Sequence, residues 1–252
     1  MARVHFFLQG KGGSGKSTTA SYLAQYFLDK NDEEKKVIVI DTDPVNHTLS
    51  GFKRFNTITL NVLKDSNINP IKFDEIISII MNSDKNTDII VDNGASSFIP
   101  FVSYIIDNGL PELLEEMGHT LKIHTVVVGQ DAFVDTMQGF KGLTQSFKNN
   151  MLYVWLNPFF GEVVSSQGKS FYEMNTFMEN RERVRVIELP SFNPDTFGFD
   201  IASTRKEKKT FSEVISDQNA FIMTRQRIKM ARDRIYSAIG VAADLQFSEV
   251  NE

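Results

Sequence analysis

The sequence predicts an α/β fold, a mostly parallel β-sheet flanked by helices on both faces. Two observations lead to this prediction. Short apolar runs alternate along the chain with segments in which apolar residues recur at helical spacing. One of these runs, 37–40, is continuously apolar rather than alternating, which is typical of a strand covered on both faces. Because the 252 residues show no repeat and no clear linker, we expect a single domain over residues 1–252.

The individual elements follow from these patterns in chain order. Strands are predicted from the apolar runs at 4–8, 37–40, 89–91, 123–128, 152–156 and 184–189. Helices are predicted from apolar residues that share one face, at 16–28, 73–80, 111–117, 133–147, 171–178 and 221–239. The charged stretch 29–36 predicts a solvated loop, Pro44 ends regular structure after the second strand, and residues 51–70 show no clear pattern.

The composition excludes several classes of function. The formal net charge of -5 gives no whole-molecule attraction to nucleic acid, so such a contact needs a local patch. The chain has no cysteine, which excludes disulfides and thiolate chemistry, and its four histidines lack metal-ligand spacing, so we expect them to be structural. Without a leader-like segment or an apolar run of about 20 residues, we expect a cytoplasmic protein with no integral membrane segment.

A glycine-rich loop lies between the first predicted strand and the first predicted helix. Residues 10–17 fit G-x-x-x-x-G-K-[ST], the phosphate-binding P-loop, in which backbone N–H groups and a helix N-terminus surround a polyphosphate. The expected ligand is ATP or ADP; we expect Lys16 to reach the β-phosphate and, in ATP, the γ-phosphate, and Ser17 to supply a hydroxyl to Mg²⁺. The predicted nucleotide contacts in this loop are Gly10, Gly12, Gly13, Ser14, Gly15, Lys16, Ser17 and Thr18.

The same glycines also fit the dinucleotide fingerprint G-x-G-x-x-G, with Asp41 where a ribose-binding acid would be expected. Lys16 and Ser17 decide against this alternative. A dinucleotide turn does not need a lysine and a hydroxyl directly after its last glycine, whereas a triphosphate with Mg²⁺ needs both.

Three acids follow predicted strands, at the edge of a parallel sheet where ligands bind. Asp41 and Asp43 come after the second strand, and Asp92 comes after the third. Mg²⁺ takes carboxylates, water and phosphate oxygens. We therefore expect Asp92 in the water shell of the metal, as a Walker-B acid, and Asp43 beside the metal, where it orients the attacking water or accepts its proton. Helix capping or turn anchoring is the alternative for each, most of all for Asp41.

The glycine loop carries a second lysine, Lys11, directly after its first glycine. This K-G-G-x-G-K-[ST] form, followed by D-x-D-P at 41–44, resembles the deviant Walker A and the first switch of the ParA/MinD family of ATPases. The resemblance implies an ATP-dependent homodimer that sandwiches two ATP molecules, with Lys11 contacting the nucleotide of the other subunit. It also implies a P-loop role for Lys16, Mg²⁺ ligation by Ser17 and water positioning by Asp43.

Two later residues resemble positions that contact the adenine base in this family. Asn157 follows the fifth predicted strand, and Pro190 follows the sixth. A structural role for both stays open. The family usually has prolines directly after the Walker-B aspartate, whereas this chain has Asn-Gly-Ala-Ser-Ser at 93–97, which leaves the behaviour of its second switch open.

A closer resemblance covers nearly the whole chain. The segments L-Q-G-K-G-G-S-G-K-S, D-T-D-P-V-N, V-D-N-G-A-S-S-F-I-P, E-M-G-H-T-L-K-I-H-T-V-V, W-L-N-P and M-T-R-Q-R resemble a family of proteins encoded among conjugative plasmid transfer genes. The resemblance implies a bacterial protein that acts in conjugation beside a type IV secretion apparatus, with transfer proteins as partners.

The last predicted helix, 221–239, is rich in basic residues. Arg225, Lys229 and Arg232 share one face. ParA-like proteins bind DNA non-specifically through basic residues near their C-terminal ends, so the resemblance implies a phosphate-backbone patch. The possible additions to this patch are Arg205, Lys206, Lys208 and Lys209. The alternative is a solvated helix face, which the negative net charge favours.

These observations together predict an ATPase that is weakly active without a partner. We expect ATP and Mg²⁺ to join two subunits, hydrolysis to separate them, and the switch to position or recruit transfer proteins or plasmid DNA. Two alternatives stay open, a DNA-binding plasmid partition ATPase and a non-catalytic, nucleotide-bound scaffold of the transfer machinery. A small-molecule kinase is disfavoured because no acceptor pocket can be recognised in the sequence.

Overall fold

A seven-stranded β-sheet, in which every strand pairing is parallel, organises the chain. The structure is a computed structural model that describes residues 2–30, 35–43, 46 and 48–242. The strands are β1 (Arg3–Phe7), β2 (Lys36–Asp41), β3 (Ile58–Thr59), β4 (Leu63–Lys64), β5 (Asn67–Ile68), β6 (Thr87–Asp92), β7 (Thr120–Val128), β8 (Met151–Asn157) and β9 (Val184–Glu188). The sheet order is β3-β2-β6-β1-β7-β8-β9, and β4 and β5 form a separate antiparallel pair.

Helices cover both faces of this sheet. They are α1 (Lys16–Asp29), α2 (Asp74–Met81), α3 (Phe98–Asp107), α4 (Leu110–Glu116), α5 (Phe133–Ser146), α6 (Asn175–Met178), α7 (Phe199–Lys206), α8 (Phe211–Ser216) and α9 (Ile222–Val241). One hydrophobic core lies between the sheet and α2 to α5, and a second lies between the sheet and α1, α7, α8 and α9. The predicted α/β class, with helices on both faces of a mostly parallel sheet, is therefore confirmed.

The register of the central strands brings the predicted site residues to one edge of the sheet. Phe7, at the end of β1, lies opposite Asp92 at the end of β6. Asp41, at the end of β2, lies opposite the same aspartate. Because parallel strands end at a common edge, the glycine loop that follows β1 starts beside both acids.

The six predicted strands are all present, although their ends differ slightly from the predicted ones. The sequence patterns did not predict the short edge strand β3, the β4–β5 pair, or helices α3, α7 and α8. The C-terminal helix continues through Gly240 to Val241, so this glycine does not interrupt it. The described residues contain no helix long and apolar enough to cross a membrane.

The predicted helix at 171–178 is not continuous. Ser170 and Glu173 form a capping box that begins a single 3₁₀ turn, and Met174 then adopts extended backbone angles, φ −75° and ψ 132°. The helix is broken there, and α6 is one separate turn. Pro44 and His47 lie outside the described residues, and the loop predicted at 29–36 is described only at its ends, where α1 stops at Asp29 and β2 begins at Lys36.

Candidate nucleotide-binding site

The glycine loop joins β1 to α1 at the carboxyl edge of the sheet. Gly15, the last residue before α1, has φ of 97°, a left-handed conformation that a side chain disfavours. A Cβ atom at this position would lie 2.6 Å from Asn157 Nδ2. Both constraints favour glycine at this position. Because glycine has no side chain, the backbone of the loop can lie directly against Asn157 at the end of β8.

Helix α1 begins at Lys16 with its N-terminus directed at this loop. No side-chain hydrogen bond caps α1 in the described part of the chain. The first backbone N–H groups of a helix lack intrahelical partners and carry the positive end of its dipole. An uncapped helix start behind a glycine loop is the geometry that binds phosphate. Gly10, Gly12 and Gly13 are on the loop and Thr18 is in the first turn of the helix.

A buried ion pair lies at the centre of the site. Lys16 Nζ is 3.0 Å from Asp92 Oδ1, and the two side chains are 7% and 0% exposed. Removal of either partner leaves an uncompensated buried charge, which costs about 3–5 kcal/mol of folding free energy. Asp92 therefore holds in place the lysine that the motif assigns to the phosphates.

The second oxygen of the same carboxylate is available to a cation. Asp92 Oδ2 is buried and has no hydrogen-bond partner within the described ranges, an arrangement that is costly unless another group satisfies it. The described residues contain no cluster of three acidic or histidine side chains able to hold a metal alone. The donors that could contribute to a Mg²⁺ site here are the Ser17 hydroxyl, phosphate oxygens and water, with Asp92 and Asp43 nearby, and donors of these kinds suit that ion.

The acids after β2 have different roles. Asp41 is fully buried, and its Oδ1 and Oδ2 accept the backbone N–H groups of Asp43 at 3.1 Å and Leu49 at 3.0 Å. Asp41 thus anchors the turn, as the alternative interpretation of its position expected. Asp43 is half-buried, and its Oδ1 accepts the backbone N–H of Asn46 at 3.0 Å.

The second lysine of the loop makes an ion pair within its own chain. Lys11 Nζ lies 2.7 Å from Asp135 Oδ2, and the side chains are 40% and 52% exposed. Asp135 is in the first turn of α5. The sequence patterns did not point to this residue, although it lies within the helix predicted at 133–147. In this conformation Asp135 accepts one of the three ammonium hydrogens of Lys11.

Gln9, which directly precedes the first glycine of the loop, is a further residue of the site to which the sequence patterns did not point. It is fully buried, and its Nε2 lies 2.9 Å from the Val126 carbonyl oxygen and 3.2 Å from that of Thr136. Its Oε1 accepts the Lys11 backbone N–H at 3.3 Å. Gln9 therefore fixes the start of the glycine loop to β7 and α5.

The predicted base-contacting residues end neighbouring strands. Asn157 Nδ2 donates to the Ser14 carbonyl oxygen at 3.1 Å, and Asn157 Oδ1 accepts the backbone N–H of Phe159 at 3.2 Å. Pro190 follows Leu189, whose backbone N–H donates to β8. Asn157 thus has a structural role on the glycine loop.

The basic side chains of α9 are partly neutralised. Arg227 pairs with the buried carboxylate of Asp200, and Arg232 lies 2.9 Å from its neighbour Asp233. Arg225 and Lys229 make no ion pair within the described ranges, and Arg225 Nε is buried without a hydrogen-bond partner there. Another face of the helix, which contains Ile228, Ala231 and Ile235, is buried.

A second group of basic residues lies close to the glycine loop. Arg205, Lys206 and Lys208 line a cleft of about 420 Å³ that also contains Ser17 and Thr18. Lys208 Nζ donates to the backbone carbonyl oxygen of Thr48 at 3.0 Å, so this turn contacts the loop that follows β2. These residues therefore lie beside the first turn of α1.

Two buried histidines form a hydrogen-bonded chain beneath the site. The Trp155 indole N–H can only donate, so His124 Nδ1 accepts it at 3.1 Å and His124 Nε2 donates to His5 Nδ1 at 2.9 Å. The remaining His5 N–H lies 3.5 Å from Asp88 Oδ1. Burial lowers the pKa of His5 to about 4 and lowers that of His124 well below its usual value. Both rings are neutral and structural, as the sequence predicted.

Comparison with known proteins agrees with this geometry. A family model for the CobQ/CobB/MinD/ParA nucleotide binding domain matches residues 6–197. Two Escherichia coli proteins named TraL are 42% and 41% identical over 247 residues, which is 97% of this chain and the whole length of each relative. The expected resemblance along nearly the whole chain is thus confirmed.

Solved structures share the fold at low sequence identity. The MinC:MinD cell division protein complex of Aquifex aeolicus matches with a TM-score of 0.56 and 15% identity, over 100% of this chain and 99% of the other. A ParA family ATPase from Chlorobium tepidum TLS matches with a TM-score of 0.52 and 14% identity, over 92% and 98%. The chain belongs to the CobQ/CobB/MinD/ParA nucleotide-binding family and, within it, to the TraL-type proteins.

Proposed function

We propose that this chain is an ATPase that binds ATP with Mg²⁺, hydrolyses it slowly, and changes from monomer to homodimer with its nucleotide state. The observation that carries the proposal is the uncapped start of α1 behind the glycine loop, with Lys16 and Asp92 buried against each other beside it. A buried lysine beside an anion-binding helix terminus suits a polyphosphate. Membership of a nucleotide-binding family supports the same ligand.

The buried ion pair suggests how the site responds to a triphosphate. With phosphates in the loop, Lys16 gains a second anionic partner beside Asp92 Oδ1, and Asp92 Oδ2, which has no hydrogen-bond partner among the described residues, is available to the water shell of the cation. Mg²⁺, when bound, neutralises charge on the phosphates. Asp43, on the loop after β2, orients the attacking water. Positioning and charge stabilisation provide most of the catalysis in such reactions.

Lys11 makes the dimer the proposed functional unit. In the single chain its ammonium group rests on Asp135, an exposed contact that is worth little. A γ-phosphate on a second subunit offers a more highly charged partner. We propose that ATP draws Lys11 away from Asp135 and across the interface, and that loss of the γ-phosphate returns it.

The nucleotide assignment is tested with Lys16→Ala. ATP and ADP affinities are measured by titration calorimetry, and ATP-dependent dimerisation by light scattering. We expect both to be lost. Because this variant leaves the Asp92 charge buried, the matched control is Lys16→Ala combined with Asp92→Asn, which restores charge balance. A folded double variant that binds ATP as the wild type does would refute the P-loop assignment.

The role of Asp43 is tested separately. Asp43→Ala keeps the glycine loop and Lys16, so we expect it to bind ATP and to accumulate as a dimer while phosphate release stops. Single-turnover release of labelled phosphate is the measurement. A variant with the wild-type rate would exclude Asp43 from the mechanism.

We further propose that the switch acts in conjugative DNA transfer, where it positions or recruits transfer proteins beside a type IV secretion apparatus. The identity to two TraL proteins, over their whole length, supports this context. The test is plasmid transfer from donor cells that express the wild type or Lys16→Ala at equal levels. Equal transfer frequencies would contradict a nucleotide-dependent role.

A DNA-binding partition ATPase is the second candidate, and the exposed charges on α9 favour it. Reversal of charge at Lys229 and Arg232 should then abolish DNA binding and leave ATP hydrolysis unchanged. The matched control reverses Lys141 and Lys148, which are exposed on a different part of the surface and change the net charge equally. Arg225 is left unchanged because its Nε is buried. Salt-insensitive or absent DNA binding by the wild type would exclude this candidate.

The third candidate is a non-catalytic scaffold that keeps its nucleotide. The unusual Asn93 and Gly94 after the Walker-B aspartate favour it, since they replace the prolines that the ParA/MinD resemblance leads one to expect. Stable ATP occupancy over hours without phosphate release would support the scaffold over the hydrolytic switch.

A further inference from the structure

The segment after β6 is hydrogen-bonded to the loop after β2 through buried groups. The Thr42 backbone N–H donates to the Asp92 carbonyl oxygen at 3.0 Å. The Thr42 hydroxyl lies 3.3 Å from the same oxygen and 3.2 Å from Asn93 Oδ1. Thr42, Asp92 and Asn93 are all fully buried. The residue before Asp43 and the residue after Asp92 are therefore in direct contact.

A second hydroxyl completes this contact from the start of α3. Ser97 Oγ lies 2.9 Å from Asn93 Oδ1 and 3.1 Å from the Gly94 carbonyl oxygen, and Ser97 is fully buried. Asn93 Nδ2 donates to the same Gly94 oxygen at 3.2 Å. The single oxygen Asn93 Oδ1 thus lies within hydrogen-bond distance of hydroxyls from both loops. We refer to Thr42, Asn93 and Ser97 together as the amide clamp.

The amide at position 93 suits this place electrostatically. Asn93 directly follows the buried Asp92, and Thr42 directly follows the buried Asp41. A carboxylate at 93 would accept the same two hydroxyls but would add a third buried negative charge, which is strongly unfavourable. An amide accepts both hydroxyls without that charge.

The same segment also reaches the glycine loop. Phe98 follows Ser97, and a Cβ atom built on Gly10 would lie 3.0 Å from Phe98 Cδ1. The ring therefore closes against the first glycine of the loop, where alanine would force it to shift. One short stretch, 93–98, contacts both the loop that holds Asp43 and the loop assigned to the phosphates.

We propose that the amide clamp is a positioning element that makes the Asp43 loop and the Asp92 strand end move as one unit. Asn93 acts through its neighbours, because it holds Thr42 and thereby the backbone of Asp43. When a nucleotide displaces Phe98 or changes the contacts of Asp92, the buried hydrogen bonds of the clamp then transmit the movement to the backbone of Asp43. This inference rests on the proposed nucleotide-dependent function and names the device that would regulate that site.

The chain provides a matched pair of serines for the test. Ser97→Ala removes the buried hydroxyl, whereas Ser96→Ala removes an exposed hydroxyl from the adjacent position of the same turn. In nucleotide-free protein, amide hydrogen exchange of Thr42 and Asp43 should rise about tenfold or more in Ser97→Ala and stay at the wild-type rate in Ser96→Ala. This measurement needs no ATP and reports on the clamp alone.

A second pair of variants tests the other side of the clamp with nucleotide present. Thr42→Val removes the hydroxyl at nearly constant shape, and Thr42→Ser keeps it. For Thr42→Val we expect ATP affinity within about threefold of wild type and a hydrolysis rate reduced about tenfold. Thr42→Ser should keep at least half of the wild-type rate. Far-UV circular dichroism and melting temperature establish that each variant is folded.

The outcomes separate failure of the clamp from failure of the proposed function. If the wild type neither binds nor hydrolyses ATP, the proposed function fails, and the exchange experiment still decides whether the clamp holds the two loops. If the wild type is active and Ser97→Ala and Thr42→Val show wild-type exchange and rates, the clamp is refuted. If exchange protection is lost throughout the protein and not specifically at Thr42 and Asp43, the clamp residues contribute to overall stability only, and the clamp is also refuted.

Discussion

The ion pair between Lys11 and Asp135 provides a prediction that follows directly from the geometry. Asp135→Asn keeps the shape of the side chain and removes the charge that holds Lys11 in the single chain. If Lys11 must leave Asp135 to reach the nucleotide of a second subunit, the free monomer loses a competing contact. ATP-dependent dimerisation should therefore become more favourable.

The structure sets the size of this effect. The Nζ–Oδ2 distance is 2.7 Å, but the side chains are 40% and 52% exposed, so solvent screens the pair. Exposed ion pairs contribute about 0.2–1 kcal/mol each. Two pairs break when two chains associate, which amounts to about 0.4–2 kcal/mol, or a dimer dissociation constant lowered about 2- to 30-fold.

The assay is sedimentation equilibrium with saturating ATP analogue and Mg²⁺, at low and at moderate salt. The gain in dimer affinity should shrink as salt rises, because the pair that Asp135→Asn removes is itself screened. Asp131→Asn is the control, since it removes an exposed acid from the turn just before α5 that makes no ion pair with any described residue. If Asp135→Asn dimerises no more tightly than the wild type, and Asp131→Asn has the same dimer affinity as Asp135→Asn, then Asp135 does not compete with the partner's nucleotide for Lys11.

Three further predictions concern the surroundings of the site. Burial lowers the pKa of His5 to about 4, below its unfolded value of about 6.5, and His124 shifts in the same direction. The contribution of the neutral histidines to the unfolding free energy should therefore be fully present above about pH 6.5 and be lost as the pH falls toward 4, with a loss of about 3 kcal/mol from His5 alone. Urea titrations at pH 7 and pH 4.5 measure this loss. An unfolding free energy that does not change between these pH values would contradict the prediction. Gly15→Ala should weaken ATP binding tenfold or more in titration calorimetry because of its φ and its contact with the end of β8, whereas Gly142→Ala, in an open helical position, should not weaken binding. Gln9→Ala should lower the unfolding free energy by about 1–3 kcal/mol in urea titration, since it removes buried hydrogen bonds to the carbonyl oxygens of Val126 and Thr136; an equally stable variant would exclude an anchoring role for Gln9.

The sheet and the glycine loop could be predicted because their signals are local. Runs such as 89–91 are continuously apolar, and the structure covers them on both faces. Gly15 is required by a left-handed backbone conformation, and Lys16 is the residue that the phosphate-binding motif has after its last glycine. Few other residue types would fit at these two positions. Helix α7, in contrast, combines exposed apolar and buried polar positions, with Phe199 exposed and Asp200 and Thr204 buried, so its pattern has no clear apolar face.

The contacts within the candidate site could not be predicted, because they join residues that are distant in sequence. Lys11 meets Asp135 from α5, and Gln9 contacts β7 and α5. The amide clamp joins residues 42, 93 and 97, which only the parallel register of β2 and β6 brings together. Residue types at single positions gave no signal for these pairs. For the acids at the strand ends, the sequence predicted that they lie at one edge of the sheet. It could not distinguish the turn-anchoring role of Asp41 from ligand binding.

The central claim is that nucleotide state sets the number of subunits through Lys11. The most direct test is the molar mass by light scattering of the wild type and of Lys11→Ala, each with saturating ADP and with a non-hydrolysable ATP analogue plus Mg²⁺. We predict a dimer only for the wild type with the ATP analogue, while Lys11→Ala binds the analogue and remains a monomer. The wild type remaining a monomer with bound analogue, or Lys11→Ala dimerising equally well, would contradict the account.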